Sequence, residues 1–206
     1  MTYLGGFNFR QTAAFVTDGP GDAPALGELY PHAYTNGLTA GWTTALSDGT
    51  RDRLASNDPR LAGTNSQAND GTQKSFRITL PSAGTKLISL AIGDAGFPQN
   101  YQHVEVWDNT TLLYTIDKPG TLENNFLDAT GTQYTAALWA SAQALVPLTF
   151  ATTTMFVVIG SPTVQVNTTT IAHLGLWVPV APEDDGAPAH LIRPPSSPDP
   201  IVSVWL

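Results

Sequence analysis

The sequence predicts an all-β fold: a jelly-roll β-sandwich followed by an extended proline-rich C-terminal arm. Three observations predict it. Short runs alternate apolar and polar residues nearly everywhere, the period of half-buried strands. Glycine and proline number 18 and 16 among 206 residues, a supply of turn formers that suits many short strands better than helices. The prolines then crowd at positions 179, 182, 188, 194, 195, 198 and 200, where the chain must be extended and cannot build a core of its own. The expected organisation is a sandwich over residues 1–177 and an arm over 178–206.

Taken in order, Phe7-Asn8-Phe9 and Ala13-Ala14-Phe15-Val16 read as strands, the second of them ended by the turn Asp18-Gly19-Pro20-Gly21. Phe76, Ile78 and Leu80 share one face while Arg77 and Thr79 take the other, and Pro81-Ser82-Ala83-Gly84 supplies turn chemistry. Ile88, Leu90 and Ile92 form the next apolar face, ended by Gly93-Asp94-Ala95-Gly96. These two strands are expected to pair as a hairpin. Val104-Glu105-Val106-Trp107, the turn Asp108-Asn109 and the run from Leu112 to Ile116 make a second one. Tyr134 to Ala144, rich in alanine, is the one helix-like interval. Thr149-Phe150 leads to Met155-Phe156-Val157-Val158-Ile159, a continuous apolar run expected of a strand covered on both sides. Gly160-Ser161-Pro162 breaks it, and Thr163–Val166 and Ile171–Trp177 close the body.

The arm carries Glu183-Asp184-Asp185 and ends in Ile201-Val202-Ser203-Val204-Trp205-Leu206. An apolar strand left free in water is an aggregation hazard. It either returns to its own sandwich or docks on a neighbouring subunit by strand addition, through Ile201, Val202, Val204, Trp205 and Leu206.

Composition narrows the function classes. The formal charge of −8 repels phosphate backbones and anionic lipid, so neither nucleic acid nor membrane is an expected partner. With no cysteine, disulfides, thiolate zinc sites and cysteine nucleophiles are excluded. No basic segment followed by an apolar stretch opens the chain, so no secretory signal is read. His32, His103, His173 and His190 are scattered without an HExxH pair. Neither a G-x-S-x-G elbow nor a phosphate-cradling G-x-x-x-x-G-K loop occurs. His173, on an alternating strand, reads as a satisfied core or rim histidine. The expectation is a protein that is not an enzyme.

One segment stands out. Residues 51–63 hold Arg51, Arg53 and Arg60, three of the nine basic residues, interleaved with Asp52 and Asp58. Such forks either form an ion-pair network pinning a long loop or present a polar platform to a ligand. In the second case Trp42, Arg51, Asp52 and Arg53 are the candidate carbohydrate-binding residues, because an aromatic plate with fixed hydrogen-bonding forks suits the apolar face and vicinal hydroxyls of a sugar. Trp42, Trp107, Trp139, Trp177 and Trp205 are the possible plates. Asp94, Glu123 and Asp128 are oxygen donors of the kind that bind a loop-fastening calcium, or else they cap turns. No other cofactor is expected. Asn109-Thr110-Thr111 and Asn167-Thr168-Thr169 match the glycosylation sequon but read as threonine-rich strand ends.

Phe76-Arg77-Ile78-Thr79-Leu80-Pro81, Gly84, Ile88, Leu90 and Ile92-Gly93-Asp94 resemble the galactose-binding-like jelly-roll domains, in particular those preceding rhamnogalacturonan acetylesterase-type enzymes. Phe7-Asn8-Phe9, Gly41-Trp42 and Arg51-Asp52-Arg53 lie in the matching order, so the resemblance spans residues 5 to 177. Lys86 stands where that family has an aromatic residue. Gly93-Asp94 is followed by Ala95, not by the serine of the companion esterase. The resemblance implies a carbohydrate-binding type of sandwich without hydrolytic machinery.

Two functions are expected on these grounds. The first is a structural assembly protein, a tailed-bacteriophage virion component of the capsid decoration, fibre or adaptor type. Its partners would be other structural subunits, in a homo-oligomer or larger assembly, and it would reside in the virion. The second is a carbohydrate-binding module for plant or bacterial surface glycans, cytoplasmic or extracellular without a classical signal.

Overall fold

The structure, a computed structural model, describes residues 1–46, 49–53 and 58–180. Within them the chain is all-β apart from one short helix, and its strands form two sheets packed as a sandwich. The arm from 181 onward, with its docking candidates Ile201, Val202, Val204, Trp205 and Leu206, lies outside the described residues.

The strands are β1 (Thr2–Phe9), β2 (Asp22–Ala25), β3 (His32–Ala33), β4 (Thr39–Trp42), β5 (Gly49–Asp52), β6 (Gly63–Asp70), β7 (Lys74–Thr79) and β8 (Gly84–Asp94). Then come β9 (Gln102–Asp108), β10 (Thr111–Lys118), β11 (Asn125–Leu127), β12 (Gln133–Thr135), helix α1 (Ala136–Ala142), β13 (Val146–Phe150), β14 (Thr154–Ile159) and β15 (Val164–Val178). The larger sheet has nine strands, with the spatial order β12-β11-β8-β15-β1-β2. β13 also pairs with β8, while β6 joins β15 and carries β5. The smaller sheet has six strands in the order β10-β9-β14-β7-β4-β3.

Alternation explains what lies between the sheets. Phe7 and Phe9 of β1, Trp42 of β4, Phe76 and Ile78 of β7, Leu90 and Ile92 of β8, and Met155, Val157 and Ile159 of β14 all point inward and are buried. Phe76 sits at the centre, edge-on to Phe7 and Phe9 at 5.1 Å and to Trp42 at 5.3 Å. Such tilted aromatic contacts add to the area they remove from water. β14 is central in its sheet, as its apolar run suggests. On its outer face Val158 is nearly buried and Phe156 is only half covered.

The second hairpin forms as expected, β9 against β10, with Asn109 turning at φ 50°. Two expectations fail. Ala13–Phe15 is a turn of 3-10 helix, not a strand. Its loop is shaped by Arg10, whose guanidinium bonds the carbonyls of Thr12, Ala13 and Val16. Nor are β7 and β8 a hairpin, since β7 pairs with β14 and β4 whereas β8 pairs with β15, β11 and β13 in the opposite sheet. Pro81–Gly84 carries the chain across the core, so the two apolar faces oppose each other. Val164–Val166 and Ile171–Trp177 belong to one long strand, β15, which shifts register around Asn167 at φ 68°, while Thr163 stands just before it.

A second, smaller apolar cluster covers the outer face of the nine-stranded sheet. Leu61, Phe126 and Trp139 pack there on Ala91, Ala95 and Ala172. Alanines on the strands leave room for the Trp139 indole of α1, whose N–H donates to the Leu90 carbonyl at 3.2 Å. Leu90 lies between the stretches of β8 paired by β13 and by β11, so the indole serves where neither strand pairs.

Candidate functional site

Beside this second cluster, on the same outer face, is a cleft of about 750 Å³. Its walls are α1 at Ala136, Ala137 and Ala140, the 3-10 turn at Pro59 and Arg60, and the Gly19-Pro20 loop leading into β2. Tyr3 and Trp177, register partners on β1 and β15, line it with half-buried rings 4.7 Å apart and inclined at 43°. Gly6 and Gly175 face each other across the same two strands. A Cβ at Gly6 would collide with the Tyr3 hydroxyl and the Asp22 carboxylate, and one at Gly175 would come 2.7 Å from the Trp177 ring. Glycine at these positions lets the rings and the carboxylate lie close to the sheet.

The polar groups are held in advance by a relay that starts at Arg10. Its guanidinium is fully buried and grips both oxygens of Asp18, at 2.5 and 2.8 Å. Asp18 accepts from Asn8 Nδ2 at 2.6 Å, and Asn8 Oδ1 meets His173 Nδ1 at 2.8 Å. Because the amide nitrogen of Asn8 is turned toward carboxylates, its oxygen is the acceptor and His173 Nδ1 carries the proton. His173 is 1% exposed. Burial first, and the nearby Arg60 charge second, push its pKa down to about 3. The imidazole is therefore neutral, with Nε2 as a bare acceptor.

Two carboxylates flank the cleft with pKa shifts in opposite directions. Burial raises Asp22 above its ordinary value, against hydrogen bonds from Tyr3 and Asn8 and the Arg60 charge. Burial also raises the Tyr3 phenol, reinforced by the hydrogen bond it donates to Asp22, so that it stays protonated. Burial alone would likewise raise Asp58, but bonds from Arg60 outweigh it and hold this carboxyl low. Arg60 reaches Asp58 through Nε at 3.0 Å and Nη2 at 2.7 Å, while its backbone N–H is capped by the same side chain. The guanidinium lies 5.1 Å from the Trp139 ring centre, and Trp139 is edge-on to His173 at 5.8 Å. Asn124, at φ 56°, completes the lining with a buried side-chain oxygen that has no partner.

The residues singled out from the sequence lie elsewhere. Trp42 is fully buried in the core and presents no face to a ligand. Arg51 is exposed and bonds the Thr50 carbonyl. Asp52 accepts from the backbone N–H groups of Gln11 and Thr12, pinning the loop after β1. Arg53 clamps Asp94 with bonds of 2.5 and 2.7 Å and covers Phe97. Asp52 and Arg53 thus act as ties between loops, and none of the four lines the cleft. Two of the three carboxylates considered for calcium are engaged: Asp94 by Arg53 and Gly96 N–H, Asp128 by the Thr130, Thr132 and Ala144 N–H groups. Among the described residues no group of three or more acidic or histidine side chains could hold a metal ion. Nor is any helix among them long and apolar enough to cross a membrane.

Of the five tryptophans, Trp177 lines the cleft, Trp139 lies beneath its neighbour Arg60, and Trp205 lies outside the described residues. Trp107 sits on the outer face of the smaller sheet, with its N–H on Glu105 at 2.8 Å. Its register neighbour Phe156 lies next to Arg77, which is sandwiched against Tyr30 at 4.3 Å. Reading the sequence missed Tyr3, Asn8, Asp22 and Asn124 altogether. A usable signal existed for His173, Gly175 and Trp177, which alternate onto one face, and for Asp58-Pro59-Arg60 inside the arginine segment.

No protein-family model and no curated protein matches the chain. Among solved structures, it is similar to the exo-β-1,3-galactanase of Phanerochaete chrysosporium, an E208A variant with β-1,3-galactotriose. The identity is 10% and the TM-score 0.38, over 68% of this chain and 27% of that one. It is also similar to a ruminal GH26 endo-β-1,4-mannanase, at 11% identity and a TM-score of 0.32, over 58% of this chain and 20% of that one. The likeness thus spans about a quarter and a fifth of those enzymes. Two expectations are corrected here. The phage assembly role is withdrawn: the two structures named above are a galactanase and a mannanase, not virion components, and the arm that motivated it lies outside the described residues. The acetylesterase-type family is not matched either; what stands is a β-sandwich.

Proposed function

We propose that this sandwich is a carbohydrate-binding module of the galactose-binding-like jelly-roll type, and that it binds without catalysing. The ligand site is the cleft over β1 and β15. One observation carries the reading: the aromatic pair Tyr3–Trp177 stands beside polar groups already fixed by their neighbours, Asp22 through Tyr3 and Asn8, Arg60 through Asp58, and His173 through Asn8. Ring faces take up the apolar side of a sugar, and polar groups that need no reordering bind its hydroxyls at low entropic cost. The cleft volume falls in the range of small-ligand sites.

Calorimetric titration against a panel of soluble oligosaccharides tests it. Trp177→Ala should weaken binding by about tenfold or more, because a half-buried aromatic anchor is lost, while the melting temperature stays close to that of the parent. Failure of the parent protein to bind any sugar of the panel would sink the reading.

A further inference from the structure

Building on the proposed sugar-binding role of the cleft, we infer that it selects uncharged sugars, reading a ligand hydroxyl through His173 Nε2, and turns away uronic acids and other anionic sugars. Hydrogen-bonding capacity in the cleft decides the matter. Among the described residues Arg60 is the one cationic side chain lining the cleft, and two of its guanidinium nitrogens already hold the Asp58 carboxylate. The other nearby guanidinium, Arg10, is fully buried and closed on Asp18. The Arg60 charge is thus already balanced by Asp58, and Asp22 stands at the other wall, so an incoming carboxylate would meet no uncompensated cation.

What the cleft offers is an acceptor. His173 Nδ1–H is committed to Asn8, the ring is buried, and among the described residues Nε2 has no hydrogen-bond partner. His173 lines the cleft, so a ligand O–H can supply the hydrogen bond that this acceptor lacks, which a carboxylate, having no proton to give, cannot. The charged groups around the imidazole are Arg60 and Asp58 on the 3-10 turn, with Asp22 on β2 at the other wall. Burial and the Arg60 charge outweigh the opposing pull of Asp58 and keep the ring neutral at ordinary pH. The chain's formal charge of −8 adds a long-range bias against anions.

The test uses the intact protein and matched ligands: neutral hexose oligosaccharides and their C6-carboxylate counterparts of the same linkage. The neutral member should bind about tenfold or more tighter at neutral pH and low salt. Nitrogen-15 spectra of the imidazole should show Nδ1 protonated and Nε2 bare in the free protein. The Nε2 resonance should then shift on adding the neutral sugar. Equal or tighter binding of the uronate, or a proton found on Nε2 of the free protein, would overturn the inference while leaving the cleft a sugar site. Binding of neither ligand class would remove the sugar-binding reading itself, and the inference with it. His173→Gln gives a further check: it should reduce neutral-sugar binding and leave uronate binding as weak as before. The nitrogen spectra keep the inference testable should that variant not fold.

Discussion

A histidine that stays neutral inside a fold ties stability to pH, and His173 does so with a definite sign. In the unfolded chain its imidazole takes up a proton near 6.5, whereas in the folded protein it does so only near 3. Between these values the unfolded state binds more protons, so stability is full above about pH 7 and is lost as pH falls through the window. Integrated over the window, the loss is on the order of 5 kcal/mol. Asp58, held low, is lost in the same direction at still lower pH; Asp22, held high, opposes it by gaining stability as pH falls. Urea unfolding at steps from pH 8 to pH 4 should show the midpoint of the parent protein falling, and that of His173→Gln falling much less. Parallel curves for the two proteins would mean that another group sets the acid response.

At the scale of elements, the loop between β1 and β2 stands out because one buried arginine organises it. Arg10 bonds three loop carbonyls and both oxygens of Asp18, and through Asn8 it sets the orientation of His173. Replacing it with methionine fills similar volume but leaves Asp18 without its counter-charge and takes from the Ala13 and Val16 carbonyls the donor they have in Arg10. The expected loss is about 3–5 kcal/mol, together with loss of sugar binding. Chemical denaturation and titration of Arg10→Met measure both, and a variant as stable as the parent would refute this role for Arg10. Nothing in the local sequence announces it, because Arg10 reads as the polar end of a strand.

Other elements were legible to different degrees for similar reasons. The β9–β10 hairpin could be read because its register and its Asp108-Asn109 turn are local. β7 and β8 look the same in sequence, yet they face each other across the core, since alternation reports which face is apolar and not which strand lies alongside. β6 escaped notice because its buried face is polar. Asn69 on it is satisfied by Ser161 N–H, the Thr169 hydroxyl and the Tyr101 carbonyl, none of which is near it in sequence.

For the molecule as a whole, the same distinction separates the fold from the site. Apolar alternation along strands such as β7, β8 and β9 was enough to read an all-β sandwich around a shared core. The cleft, in contrast, gathers residues 3, 22, 58, 60, 124, 173 and 177; residues 3, 22, 173 and 177 meet because β15 returns antiparallel to β1 and β2 joins β1 in parallel, and the others come from loops. A site made by pairing β1 with β15 has no local motif, and its integrity depends on the whole sandwich. That dependence is measurable at Phe76. This side chain belongs to the smaller sheet, and its ring packs between Phe7 and Phe9 of the larger one and Trp42 of its own. Truncating it to alanine leaves a cavity at the contact joining the sheets and should cost about 3–5 kcal/mol. Because Phe7 and Phe9 flank Asn8 on β1, the strand that also carries Tyr3, the sheets and the cleft should be lost together. Phe76→Ala should unfold in one transition, with far-ultraviolet dichroism, tryptophan fluorescence and sugar binding all disappearing at the same lowered denaturant concentration. If binding vanished at a distinctly lower concentration than the sheet signal, β1 and β15 would be opening as a separate unit, and the site would depend on that edge alone and not on the shared core.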